Sequence, residues 1–250
     1  MGAEPMRDKK QYWIAGMILL VGIFISSVIL LAAFLPKSKK APAETTGGTA
    51  PVTEAPKDFT VTFYDEKGTV MQKSSVKGGE AILPPALHAK TRIFKGWNQN
   101  LFWVDGDIDV YPLVMEIDTK KNVFYADAVY AKSGGEVQIP VYIGGEVDLG
   151  DFTMEIYYDA EILQYDRIEG DSVTAAEDAA GGCLTVKRTD GKRLNAAGKL
   201  FTLCFSAPDF DGYESEILLR PKETFTLAGG EKVYVDSIAY DAKLYLLQIK

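Results

Sequence analysis

The sequence predicts a mainly β fold standing behind one N-terminal transmembrane helix, and three observations carry that reading. Residues 13–35 run for 23 positions without a charge, as WIAGMILLVGIFISSVILLAAFL. Beyond Lys57, apolar residues recur at every second position in short runs, the period of strands that bury one face. Those runs are separated by Gly, Pro, Asn and Asp turn signals, and no long amphipathic helical pattern interrupts them.

As a helix, 13–35 would measure about 34 Å, enough to cross a hydrocarbon core of about 30 Å. Tyr12 and Trp13 stand at one edge, where amphipathic rings favour the interface, and Pro36 and Lys37 close the other. The run exceeds the roughly 7–15 residues of a cleavable signal core. A lysine cluster also separates it from the weak Ala41-Pro42-Ala43 cleavage pattern. The expected organisation is a cytoplasmic tail at 1–12, a single-pass membrane helix at 13–35, and a C-terminal part outside the cell membrane. Arg7, Lys9 and Lys10 balance Lys37, Lys39 and Lys40, so the positive-inside rule sets no orientation. Within residues 36–57, the stretch 41–56 is mostly Pro, Thr, Ala and Gly with few large apolar side chains, too little apolar surface to offset chain entropy. A disordered Pro/Thr linker is expected there.

Residues 58–118 predict a small unit of strands. Phe59, Val61 and Phe63 alternate with Thr60, Thr62 and Tyr64; Glu66-Lys67-Gly68 turns the chain, and Thr69–Val76 returns as the hairpin partner. IFKGWN and DIDVYPLV supply two further strands. So short a stretch is near the lower limit for an independent core, so Phe94, Trp97 and Tyr111 must carry much of the burial. The order VTFYDEKGTV, VKGGEAILPP, FKGWN, DVYPLV resembles the internalin B-repeat family, with Phe-x-Gly-Trp as its best marker. That resemblance implies a β-grasp-like extracellular module, here single rather than in tandem, and a spacer role is as good a reading as ligand binding.

Residues 119–250 predict a β-sandwich. In Glu136–Ile143 the residues Val137, Ile139, Val141 and Ile143 share one face; in Asp151–Tyr158, Phe152, Met154, Ile156 and Tyr158 do so. Further strand candidates are Phe124–Ala131, Ile162–Ile168, Leu184–Arg188, Leu200–Ser206, Ile217–Arg220, Phe225–Leu227 and Ile238–Leu247, with Ala175–Ala180 read as a helical turn or loop. The ordered segments IPVYIGG, GDFTMEIYYDAEIL, RIEGD and KLFTLCFSA resemble the cohesin family over about residues 122–250. The resemblance implies a cohesin-like β-sandwich of jelly-roll type that binds a dockerin-bearing protein, the calcium being held on the partner's side.

Charge and residue chemistry narrow the function. After Lys57 there are 20 basic against 31 acidic residues, a net of −11, which disfavours nucleic acid. Cys183, Cys204 and the lone His88 give neither zinc spacing nor a catalytic triad, and His88 is read as a loop or surface residue. Asp105, Asp107 and Asp109 suggest a calcium loop, but Val110 stands where its sixth-position Gly belongs. The many acidic residues fall in turns or on outward strand positions rather than as a glycosidase pair. No phosphate-cradling glycine loop or nucleophile elbow occurs. No enzyme, cofactor or metal site is expected.

The expected activity is noncovalent binding. The cohesin resemblance implies a partner face that includes the third and sixth strands, whose outward residues here are Thr153, Glu155 and Tyr157 with Thr185 and Lys187. Tyr157 is the anchor, since an exposed aromatic ring loses little rotamer entropy on binding. The same topology puts Cys183 and Cys204 on different sheets as unpaired thiols, whereas a simple hairpin would set them opposite each other. A polysaccharide is the alternative ligand, for which Tyr142 and Tyr157 are the available rings. A purely structural stalk or envelope component is the third reading.

Overall fold

The computed structural model describes residues 57–89 and 91–249. The expected tail, membrane helix and nearly all of the linker lie outside the described residues. Among the described residues every regular element is a strand.

The small unit begins with the hairpin β1 (Asp58–Tyr64) and β2 (Val70–Lys77). Asp65 organises its turn, accepting the Lys67 and Thr69 N–H groups on one carboxylate oxygen, both at 2.8 Å. The Thr69 bond heads the causes that hold the Asp65 carboxyl below its usual range. Next come β3 (Arg92–Trp97), β4 (Ile108–Val110) and β5 (Pro112–Glu116). β4 runs parallel to β1, giving the sheet order β2-β1-β4, while β3 and β5 pair separately. Val61 and Phe63 point inward against Phe94, Trp97, Leu101, Val104 and Val110. The Phe-x-Gly-Trp marker has a physical reason. Gly96 adopts φ +124°, the ladder slips between Phe94 and Gly96, and both aromatic rings enter one core. Trp97 then meets Phe63 and Phe94 edge-on at 5.3 and 5.2 Å.

The remaining strands form two packed sheets. They are β6 (Asn122–Ala126), β7 (Val129–Lys132), β8 (Glu136–Gly145), β9 (Phe152–Tyr157), β10 (Gln164–Glu169), β11 (Val173–Glu177), β12 (Cys183–Arg188), β13 (Gly198–Ser206), β14 (Tyr213–Ala228), β15 (Glu231–Tyr234), β16 (Ser237–Tyr240) and β17 (Ala242–Leu247). One sheet has the order β10-β13-β8-β6-β16. The other runs β11-β12-β9-β14-β17-β7, with β15 beside β14. Their inner faces share one core, to which the first sheet contributes Ile139, Val141, Phe201, Leu203 and Phe205 and the second Met154, Ile156 and Leu184.

Several stretches differ from the sequence reading, among them DIDVYPLV, read as one strand, which divides at Tyr111 into β4 and β5 in different sheets. Phe124–Ala131 is two strands, β6 and β7, which change sheets at Asp127-Ala128, and Ile238–Leu247 likewise divides into β16 and β17 at Asp241. The two broken strands run side by side, β16 parallel to β6 and β17 parallel to β7, and so build one corner of the sandwich. Ile217–Arg220 and Phe225–Leu227 belong to one strand, β14, which absorbs Pro221 by a register shift between Pro221 and Glu223. Val173–Glu177 is the edge strand β11, so the first part of Ala175–Ala180 is extended rather than a helical turn or loop.

The small unit packs on the corner. Its core takes in Ala128, with Tyr130 and Tyr245 packed against it. A second cluster joins Ile93 and Ile117 to Val123 and Tyr125. Polar bonds follow the same seam: Ala128 N–H donates to the Phe94 carbonyl at 2.8 Å, and Trp97 N–H donates to the Tyr130 hydroxyl at 3.0 Å.

Candidate partner-binding face

On β9 the side chains of Phe152, Met154 and Ile156 are buried, which turns Thr153, Glu155 and Tyr157 to the other side of the sheet. On β12, Leu184 and Val186 are buried, and Cys183, Thr185 and Lys187 turn outward. The antiparallel register then sets Thr153 opposite Lys187, Glu155 opposite Thr185, and Tyr157 opposite Cys183. All five residues singled out by sequence therefore share one sheet face, on neighbouring strands.

The structure adds residues that sequence reasoning missed. β14 flanks β9 on the other side, with Leu218 opposite Tyr157, Arg220 opposite Glu155 and Glu223 opposite Thr153. Lys222 falls within the irregular step of that ladder, and its ammonium reaches Glu155 at 2.7 Å. Arg220 grips Asp241 with two nitrogens, at 2.6 and 3.1 Å. Outward alternation beside Leu219 was a signal for Arg220. Nothing local signalled Lys222, because its position depends on how β14 passes Pro221.

Glu155 is the electrostatic centre of the face. The same oxygen that meets Lys222 accepts the Tyr157 hydroxyl at 2.6 Å. Lys222 first, and Tyr157 second, hold the Glu155 carboxyl below its usual range. Bonding to Glu155 in turn pushes the Tyr157 phenol up to about 12. Tyr157 thus presents its ring, 39% exposed, with the hydroxyl already tethered. That arrangement lowers the ordering cost of using the ring as an anchor.

The remaining candidates have separate surroundings. His88 pairs with Asp127 through Nδ1 at 2.7 Å and stacks on Tyr142 at 4.2 Å, so it takes part in the seam of the small unit. Tyr142 lies on β8 and Tyr157 on β9, in different sheets, so these two rings form no common strip. Asp107 accepts the Thr60 N–H and Asp109 accepts the Tyr64 hydroxyl. Cys183 and Cys204 lie on different sheets and are free thiols, each pushed up by burial.

The chain matches no family model and no curated protein. Solved structures similar to it include a type I cohesin–dockerin complex from Clostridium thermocellum, at 14% identity over 54% of this chain and 98% of that one, with a TM-score of 0.45. A non-cellulosomal cohesin from Archaeoglobus fulgidus matches at 16% identity over 51% and 92%, with a TM-score of 0.44. The seventh ScaB type I cohesin from Pseudobacteroides cellulosolvens matches at 11% identity over 52% and 95%, with a TM-score of 0.46. The solved structures to which the chain is similar are cohesin domains, matched over about half of its length.

Proposed function

We propose that this chain is a single-pass cell-membrane protein whose sandwich binds a protein partner of dockerin type, noncovalently, and holds it at the cell surface. The binding surface is the outer side of β11, β12, β9 and β14. The observation that carries this reading is the row Tyr157–Glu155–Lys222, flanked by Thr153, Thr185 and Lys187, which offers one tethered aromatic ring among polar side chains. The cohesin-like order of motifs in the sequence supports the class of partner. The uncharged run 13–35 supports the anchor, the Pro/Thr composition of 36–57 supports a linker, and the B-repeat-like unit serves as a spacer outside the cell.

The test is capture by the full-length chain in mild detergent, offered calcium-loaded dockerin modules with and without a chelator. Calcium-dependent retention that Tyr157→Ala weakens by about tenfold supports the reading. Retention unchanged by Tyr157→Ala removes this face as the site. Retention of a polysaccharide instead assigns a glycan ligand, and retention of neither favours a structural stalk.

A further inference from the structure

We infer that Lys95, on β3 of the small unit, is a positioning residue for the Arg220–Glu155–Tyr157 row, acting through Asp241. This rests on the binding face proposed above, but the contacts that carry it are independent of any partner. The Lys95 ammonium donates to the Asp241 carbonyl at 2.7 Å, linking positions 146 residues apart. Asp241 lies between β16 and β17, where the chain changes sheets. Its carboxylate accepts the Leu219 N–H at 2.8 Å and both Arg220 contacts, so it is fixed from the β14 side as well.

The consequence falls on Glu155. Arg220 stands directly opposite it across the β9–β14 ladder. A guanidinium released from Asp241 would find that carboxylate the nearest alternative in register, and a charged donor displaces a phenol from a shared oxygen. While Asp241 holds Arg220, Glu155 remains available to Tyr157 and Lys222. Lys95 is half-buried, and its ammonium faces Asp241, Glu216, Lys243 and Asp127. A half-buried ammonium turned to a carbonyl at a strand break is fixed in place by its surroundings, whereas a solvated surface lysine is not.

The experiment uses the full-length chain with Lys95→Met, which keeps the aliphatic stem, and Lys95→Arg, which keeps a donor. NMR of the free protein reads hydrogen exchange at the Arg220 guanidinium and the titration of the Tyr157 ring. Lys95→Met should speed Arg220 exchange by about threefold to tenfold and move the Tyr157 midpoint toward the ordinary phenol value, with Lys95→Arg restoring both. Asp241→Asn, which keeps the carbonyl and weakens the grip on Arg220, should reproduce the Lys95→Met pattern and serves where that variant does not fold. Arg220 exchange and Tyr157 titration left unchanged in a folded Lys95→Met chain would overturn the inference. A shift in both signals in a chain that captures no dockerin supports the linkage while removing the partner assignment, so the two failures are distinct.

Discussion

The Asp127 carboxylate accepts the Phe94 N–H at 2.8 Å, so a side chain at the sandwich corner completes the backbone bonding of the small unit. Its second oxygen meets His88 Nδ1 at 2.7 Å. Burial pushes the Asp127 carboxyl up, while His88 and the Phe94 N–H act in the opposite direction. Asp127→Ala leaves a buried N–H without its acceptor and should cost about 2 kcal/mol. Because the seam is apolar as well as polar, the small unit and the sandwich should still unfold in one calorimetric transition. Two resolved transitions in the unmodified chain would show that the seam does not couple them.

Tyr157 supplies a titration prediction. Its folded phenol is raised to about 12, above the unfolded value of about 10, so its contribution to stability is complete below the unfolded value and is lost as pH rises through the folded one. Glu155→Gln removes the charge responsible and should return the Tyr157 ring signal to a midpoint near the unfolded value. A midpoint that stays near 12 would assign the shift to another cause.

Gly96 is one position at which the small unit leaves little room for a side chain. With φ at +124°, an added Cβ would lie 3.1 Å from the Tyr130 hydroxyl. Gly96→Ala should destabilise the chain by about 1–3 kcal/mol through backbone strain and lost contact at the seam. A urea midpoint indistinguishable from wild type would contradict this packing.

Arg188 is 5% exposed and ties two loops together. It donates to the Gly150 and Lys192 carbonyls, at 2.5 and 2.9 Å, and pairs with Asp190 at 2.8 Å. Arg188→Ala removes the donor of the buried bond to the Gly150 carbonyl and the cation beside the part-buried Asp190, at a cost of about 3 kcal/mol. Chemical denaturation measures it, and a loss below about 1 kcal/mol would mean that water replaces the guanidinium.

Much of the face was legible because a period of two fixes which way each side chain points. Phe152, Met154 and Ile156 are buried, and that alone sends Thr153, Glu155 and Tyr157 outward. The corner was not legible. β6 and β7, like β16 and β17, follow each other with so little interruption that each pair reads as one strand, although the halves belong to different sheets. Pro221 carries no N–H and so reads as a break, but the ladder accommodates it with a register shift. In β11, Ala175 and Ala176 weaken the strand signal, and only pairing with β12 decides the outcome. Alternation beside Leu219 turns Arg220 outward, but Lys222 joins the site only through the irregular β9–β14 register, a non-local property that no window of sequence contains.

The placement of β17 between β14 and β7 has a kinetic consequence. Among the described residues β7, synthesised long before, pairs in its sheet with β17 alone, so that neighbour is missing until Ala242–Leu247 leaves the ribosome. The nascent polypeptide must therefore wait with an open seam, and closing so long a loop makes maturation slow and dependent on a strand translated so late.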